Sequence, residues 1–84
     1  MQNWLVYIIR CSDGSLYTGI TTDLERRFAE HLLGGKGAKY FRRCRPLGIV
    51  YTEAGLNRSE AARREARIKA LSHKEKLELI SRMR

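Results

Sequence analysis

The chain has 84 residues, which suits one domain with a thin core and is too short for two. Its 17 Lys and Arg against 9 Asp and Glu give a net charge of +8, and basic surface of that size points to a nucleic acid, whose condensed counterions it displaces. No apolar run approaches the roughly 20 residues that cross a bilayer, and Met1-Gln2-Asn3-Trp4 lacks the features of a secretory leader, so a cytoplasmic protein with no membrane role is expected.

Trp4 to Cys11 (WLVYIIRC) is rich in aromatic and β-branched residues and reads as a strand buried on both faces. Ser12-Asp13-Gly14 signals a hairpin, with Ser15 to Ile20 as the return strand. Two registers suit this turn. A two-residue Asp13-Gly14 turn sets Tyr17 opposite Arg10, on the face away from Tyr7. A three-residue loop with Gly14 at a bulge sets Tyr17 opposite Ile9 and brings both phenols to one face.

Thr22 to Glu25 has the form of a capping box, opening a helix with Leu24, Phe28, His31 and Leu32 along one side; Gly34 and Gly35 stop it. A basic loop follows from Lys36 to Arg45, ended by Pro46, and Leu47 to Ala54 reads as a third strand. Asn57 and Glu60 open a helix through Ala70, and Ser72 and Glu75 a last one whose Leu77, Ile80 and Met83 share a face. The order β-β-α-β-α-α describes an α+β fold, a small three-stranded antiparallel sheet flanked by helices, as a single domain over residues 1–84. Cys11 and Cys44 match no metal-ligand spacing. They are expected as reduced thiols, Cys11 serving as a small apolar strand residue, with a disulfide between them as the minor alternative.

Alone, two strand tyrosines are ordinary packing residues. Arg27 and His31, four apart on one face of the helix that follows, add a guanidinium and an imidazole to the phenols of Tyr7 and Tyr17, and these groups handle phosphodiesters. Glu65 falls within the apolar stripe of its helix beside Ala61, Ala62 and Ile68, where an ionised carboxylate needs a partner: Arg27, or a divalent metal. Arg63, Arg64 and Arg67 gather on the opposite side. In the loop GKGAKYFRRCRP, Lys36, Lys39, Arg42, Arg43 and Arg45 are candidate phosphate contacts, and Tyr40 and Phe41 are candidates to stack on an unpaired base.

Val6-Tyr7-Ile8 and Tyr17-Thr18-Gly19, followed by Arg27, His31 and Glu65 in that order, resemble the GIY-YIG nuclease superfamily along nearly the whole chain, and most closely its small stand-alone branch. The resemblance implies catalytic roles for Tyr7, Tyr17, Arg27 and His31, with Glu65 holding one Mg²⁺ or Mn²⁺. It implies a metal-dependent endonuclease acting on DNA in preference to RNA, as a monomer for which a protein partner could supply specificity. A non-catalytic or partner-dependent nucleic-acid-binding module that keeps the fold is the alternative. The sequence departs from the family pattern at Val6, where the first motif has glycine, and at Thr18, where the second has an apolar residue. Ile20 stands where excision-repair members carry lysine, and no residue clearly matches an asparagine that some members carry beyond the metal-binding helix.

Overall fold

The computed structural model describes residues 3–33, 41 and 44–82. Three strands, β1 (Trp4–Cys11), β2 (Leu16–Thr21) and β3 (Pro46–Leu56), and three helices, α1 (Leu24–Leu33), α2 (Arg58–Lys69) and α3 (His73–Ser81), follow in the expected order β-β-α-β-α-α. The sheet is antiparallel with order β2-β1-β3, which makes the first strand central. That position accounts for the continuous apolar run of β1: Val6, Ile8 and Ile9 are fully buried and Tyr7 nearly so.

The hairpin register is the one that unites the tyrosines. Tyr17 pairs with Ile9, Cys11 N–H donates to the Ser15 carbonyl at 2.9 Å, and Gly14 takes φ +85°. That backbone conformation is costly for any residue with a Cβ, so Gly14 permits the three-residue loop. The Asp13 carboxylate ties the turn further by accepting from Ser15 N–H at 3.0 Å.

Each sheet face carries its own core. On one, α2 and α3 bring Ala61, Ile68, Leu79 and Ile80 onto Val6, Ile8, Leu16 and Tyr51. On the other, Leu24 and Phe28 of α1 pack with Tyr7, Ile9, Tyr17 and Cys11, joined by Phe41 and Cys44. A bulge between the partners of Ile8 and Ile9 gives β3 an extra residue, and Val50 and Tyr51 both join the α2–α3 side. Val6 and Thr18, where the motifs depart from the family pattern, are buried on this side, away from the phenols.

Several local expectations are corrected. The α1 cap is Asp23 rather than Thr22: its Oδ1 accepts from Arg26 N–H at 3.1 Å, while Thr21 Oγ1 accepts from Asp23 N–H and sets the entry to the helix. Leu32 is exposed instead of joining the core. β3 starts at Pro46, a residue tolerated at a strand's first position, and runs on to Leu56. On α3, Leu79 and Ile80 reach the core and Leu77 stays about half exposed. The capping boxes Asn57–Glu60 and Ser72–Glu75 are formed as expected. Gly34 and Gly35 lie outside the described residues.

Candidate active site

Tyr7 and Tyr17 project from the same sheet face, with ring centroids 6.3 Å apart. His31 comes from the last turn of α1, buried to 1% exposure, and its Nε2 lies 3.0 Å from the Tyr7 hydroxyl. The helical spacing that put Arg27 and His31 on one face thus delivers both toward the same phenol. Tyr17 meets the His31 ring edge-on at 5.4 Å.

Gly19 occupies the position opposite Tyr7 on β2. A Cβ there would sit 2.5 Å from the Tyr7 hydroxyl oxygen and 2.7 Å from Cζ, so the phenol lies flat across a space that only glycine leaves open. This requirement is invisible in the sequence without the register, although glycine within a strand is itself a sign of close approach.

Electrostatics keep the Tyr7–His31 pair neutral. Burial, followed by the neighbouring Tyr17, pushes the Tyr7 phenol up to about 12; the Arg27 guanidinium beside it pulls the other way without prevailing, and the Glu65 charge adds to the rise. Burial, then the Arg27 charge, lowers His31 to about 4. His31 Nδ1 has no hydrogen-bond partner among the described residues. With the phenol protonated and donating to Nε2, the imidazole proton sits on Nδ1, an assignment from hydrogen-bond inventory.

This gives a prediction for stability. A histidine whose folded pKa falls below its unfolded value leaves the unfolded chain binding more protons between about pH 4 and 6.5. Its full stabilising contribution is therefore present above pH 6.5 and is lost as the pH falls toward 4. With water able to reach the ring once it charges, the loss is roughly 2 kcal/mol. Denaturant melts of wild type and His31→Gln between pH 7 and 4 should converge in acid; parallel curves would place the titration elsewhere.

Arg27 also pairs with Glu30 at 3.1 Å, one turn along α1, which orients the guanidinium at the edge of the site. Glu65 forms its ion pair with Lys69, at 3.1 Å on the next turn of α2, and not with Arg27. The buried stripe of α2 is Ala61 and Ile68, whereas Ala62 is exposed. α2 packs on the sheet face opposite the phenols, where it lies against the edge strand β2, and the Glu65 charge is the smallest of the influences on the Tyr7 phenol. A single partly exposed carboxylate suits Mg²⁺, which keeps several waters and needs few protein oxygens.

Phe41 is a further correction. It is buried, not offered to a base, and its ring packs 4.4 Å from His31 and 4.8 Å from Tyr17, walling the site from the loop side. Arg45 is exposed, its backbone tied to Ser12. Lys36, Lys39, Tyr40, Arg42 and Arg43 lie outside the described residues. Glu53, which carries no signal in the sequence, accepts two hydrogen bonds from Arg64 at 2.8 and 3.0 Å and one from the Tyr51 hydroxyl, locking β3 to α2. Arg64 is thereby occupied, while Arg63 and Arg67 line a shallow groove beside it.

Two neighbouring phenols, an imidazole and a guanidinium thus share one face of a β-β-α unit, with the Glu65 carboxylate on the helix that follows β3. The GIY-YIG catalytic domain model matches residues 3–78, and the chain belongs to that family, a nuclease superfamily. Within it, the chain is similar to small stand-alone proteins named UPF0213. It is 52% identical over 77 residues to UPF0213 protein DP2720 of Desulfotalea psychrophila, covering 92% of this chain and 70% of the relative. It is 50% identical over 80 residues to UPF0213 protein SH2523 of Staphylococcus haemolyticus, covering 95% and 96%. The solution structure of UPF0213 protein BH0048 from Bacillus halodurans superposes with TM-score 0.59 at 47% identity, over 93% of this chain and 82% of that one. The solution structure of protein EF2693 from E. faecalis gives TM-score 0.65 at 40% identity, over 99% and 91%.

Proposed function

We propose that the protein is a divalent-metal-dependent endonuclease that hydrolyses phosphodiester bonds, of DNA in preference to RNA, with Tyr7, Tyr17, Arg27 and His31 as its catalytic groups and Glu65 as its metal ligand. The observation that carries this reading is convergence on one phenol: His31, Arg27 and Glu65 all act on Tyr7, and Tyr17 stands beside it.

The environments divide the labour between the tyrosines. Tyr7 is buried, neutral and hydrogen-bonded, so it positions; it cannot supply a phenolate near neutral pH. Tyr17 is only partly buried on the same face and is the group that takes or relays the proton of the attacking water. His31 fixes Tyr7. Arg27 binds the non-bridging phosphate oxygens as charge builds on them. Glu65 would hold a divalent ion, and the chemistry supplied there is polarisation of the phosphate and stabilisation of the leaving oxygen.

The test is a cleavage panel of duplex, branched and single-stranded DNA and RNA, with Mg²⁺, with Mn²⁺ and with chelator. Cleavage of DNA that needs the metal and is lost in Tyr17→Phe is the expected result. Binding without cleavage in every arm would overturn the nuclease reading and leave a nucleic-acid-binding module. Binding should also weaken steeply with salt. If Lys36, Lys39, Arg42 and Arg43 contact about four phosphates, log K falls with log salt at a slope of roughly −3 to −4, and neutralising Arg42 and Arg43 lowers that slope by about two. An unchanged slope would move the contact surface to Arg63 and Arg67.

A further inference from the structure

Away from the phenols, the fold gathers three metal-ligating side chains that the sequence keeps apart. Cys11 ends β1, Asp13 sits in the hairpin loop, and Cys44 precedes β3. Their sulfur and carboxylate ligand atoms all lie within 4.8 Å of one another. Both cysteines are buried and reduced, while Asp13 is exposed. The surroundings are already braced. Ser12 N–H donates to the Arg45 carbonyl at 2.9 Å, Arg45 N–H donates to Ser12 Oγ at 3.0 Å, and Cys11 pairs with Pro46 in the sheet. Asp13 is held in turn by Ser15.

The geometry points to a metal site formed by Cys11, Asp13 and Cys44, selective for a thiophilic divalent cation of the Zn²⁺ type and separate from the Glu65 carboxylate. Two thiolates and a carboxylate favour Zn²⁺ over Mg²⁺, which prefers oxygen ligands alone. Three protein ligands leave a fourth position, open to water on the exposed side of Asp13. The carboxylate is what sets this arrangement apart from a pair of cysteines suited only to a disulfide. Binding displaces the two thiol protons to solvent, with no change of oxidation state. Cys11 lies four residues along β1 from Tyr7, about 13 Å by strand geometry. It is nevertheless coupled to the phenols, because Cys11 and Cys44 share a packed cluster with Phe41, which rests on Tyr17 and His31. An ion here fastens the hairpin loop to the start of β3 and steadies that wall.

The full chain, stripped of metal and kept reduced under argon, is titrated with Co²⁺ as a spectroscopic probe and then with Zn²⁺. A sulfur-to-cobalt charge-transfer band should saturate at one ion per chain and vanish on adding Zn²⁺, and Zn²⁺ but not Mg²⁺ should raise the melting temperature. Cys44→Ser should weaken Zn²⁺ binding more than about 100-fold, beyond what loss of an outer contact achieves. Asp13→Asn, which keeps a side-chain oxygen to accept from Ser15 N–H and so keeps the turn, should weaken it about tenfold or more, which decides the matter even if Cys44→Ser fails to fold. Glu65→Gln should leave it unchanged, so the result stands whether or not the protein cleaves DNA. No charge-transfer band in wild type, undiminished affinity in Asp13→Asn, or loss of binding in Glu65→Gln would each overturn the site. A disulfide that forms in air while the reduced chain takes up no ion would do the same.

Discussion

Glu65→Gln is expected to melt like wild type and to lose metal-dependent cleavage by at least about a hundredfold. The first half follows from what Glu65 touches. Its ion pair is with Lys69, which is half exposed and one turn away on the same helix, and such pairs contribute a few tenths of a kcal/mol. Its other effect is to load negative charge near a phenol that burial already holds neutral, so removing the carboxylate relieves Tyr7 rather than straining it. The second half follows from the proposed role of the carboxylate as metal ligand, since losing even one preorganised electrostatic contact costs about 10²–10³ in rate. Thermal melts and cleavage assays on one preparation, with and without Mg²⁺, check both. A mutant that unfolds early would make Glu65 structural, and one that cuts as well as wild type would remove it from the reaction.

Gly19→Ala is expected to damage both stability and activity. The added methyl would meet the Tyr7 hydroxyl at 2.5 Å, and that ring has nowhere to go: it is 1% exposed and tied to His31. Overpacking of this kind costs about 1–3 kcal/mol, which in a domain of this size lowers the melting temperature by about 5 °C or more. The shift also carries Tyr7 out of line with Tyr17, so cleavage should fall by more than the melt alone explains at a temperature where the mutant is folded. Combining it with Tyr7→Ala, which empties the space, should cost less than the two changes added together. Strict additivity would mean that the close approach is not the cause.

Much of this was legible because periodicity and turn chemistry are local. The three strands, both downstream capping boxes and the neighbouring placement of Arg27 and His31 follow from spacing within a dozen residues. The hairpin was a harder case: Gly14 suits two turns, and only pairing with Ile9 sets Tyr17 on the same face as Tyr7. What could not be read depended on chain segments meeting from afar. Phe41 looks like a loop aromatic until the fold lays it on His31. Cys11 and Cys44 have no ligand spacing in sequence and acquire one only when β3 pairs with β1. Asp23 displaced Thr22 as the cap because Thr21 had already turned the chain, a choice between adjacent oxygens that composition does not resolve.

The central position of β1 bears on how the protein is made. Its partner β2 follows after a short loop, and hairpins close in about 1–10 μs, whereas β3 must return across a gap that imposes a larger loop-closure entropy. The segment carrying Tyr7, Tyr17, Arg27 and His31 therefore leaves the ribosome well before Glu65. At about 5–20 residues per second, the stretch from His31 to Glu65 takes roughly 2–7 s to synthesise. Early in that interval β1, central in the finished sheet, is an edge strand beside β2, and its second edge stays open until Pro46–Leu56 arrives to pair with it.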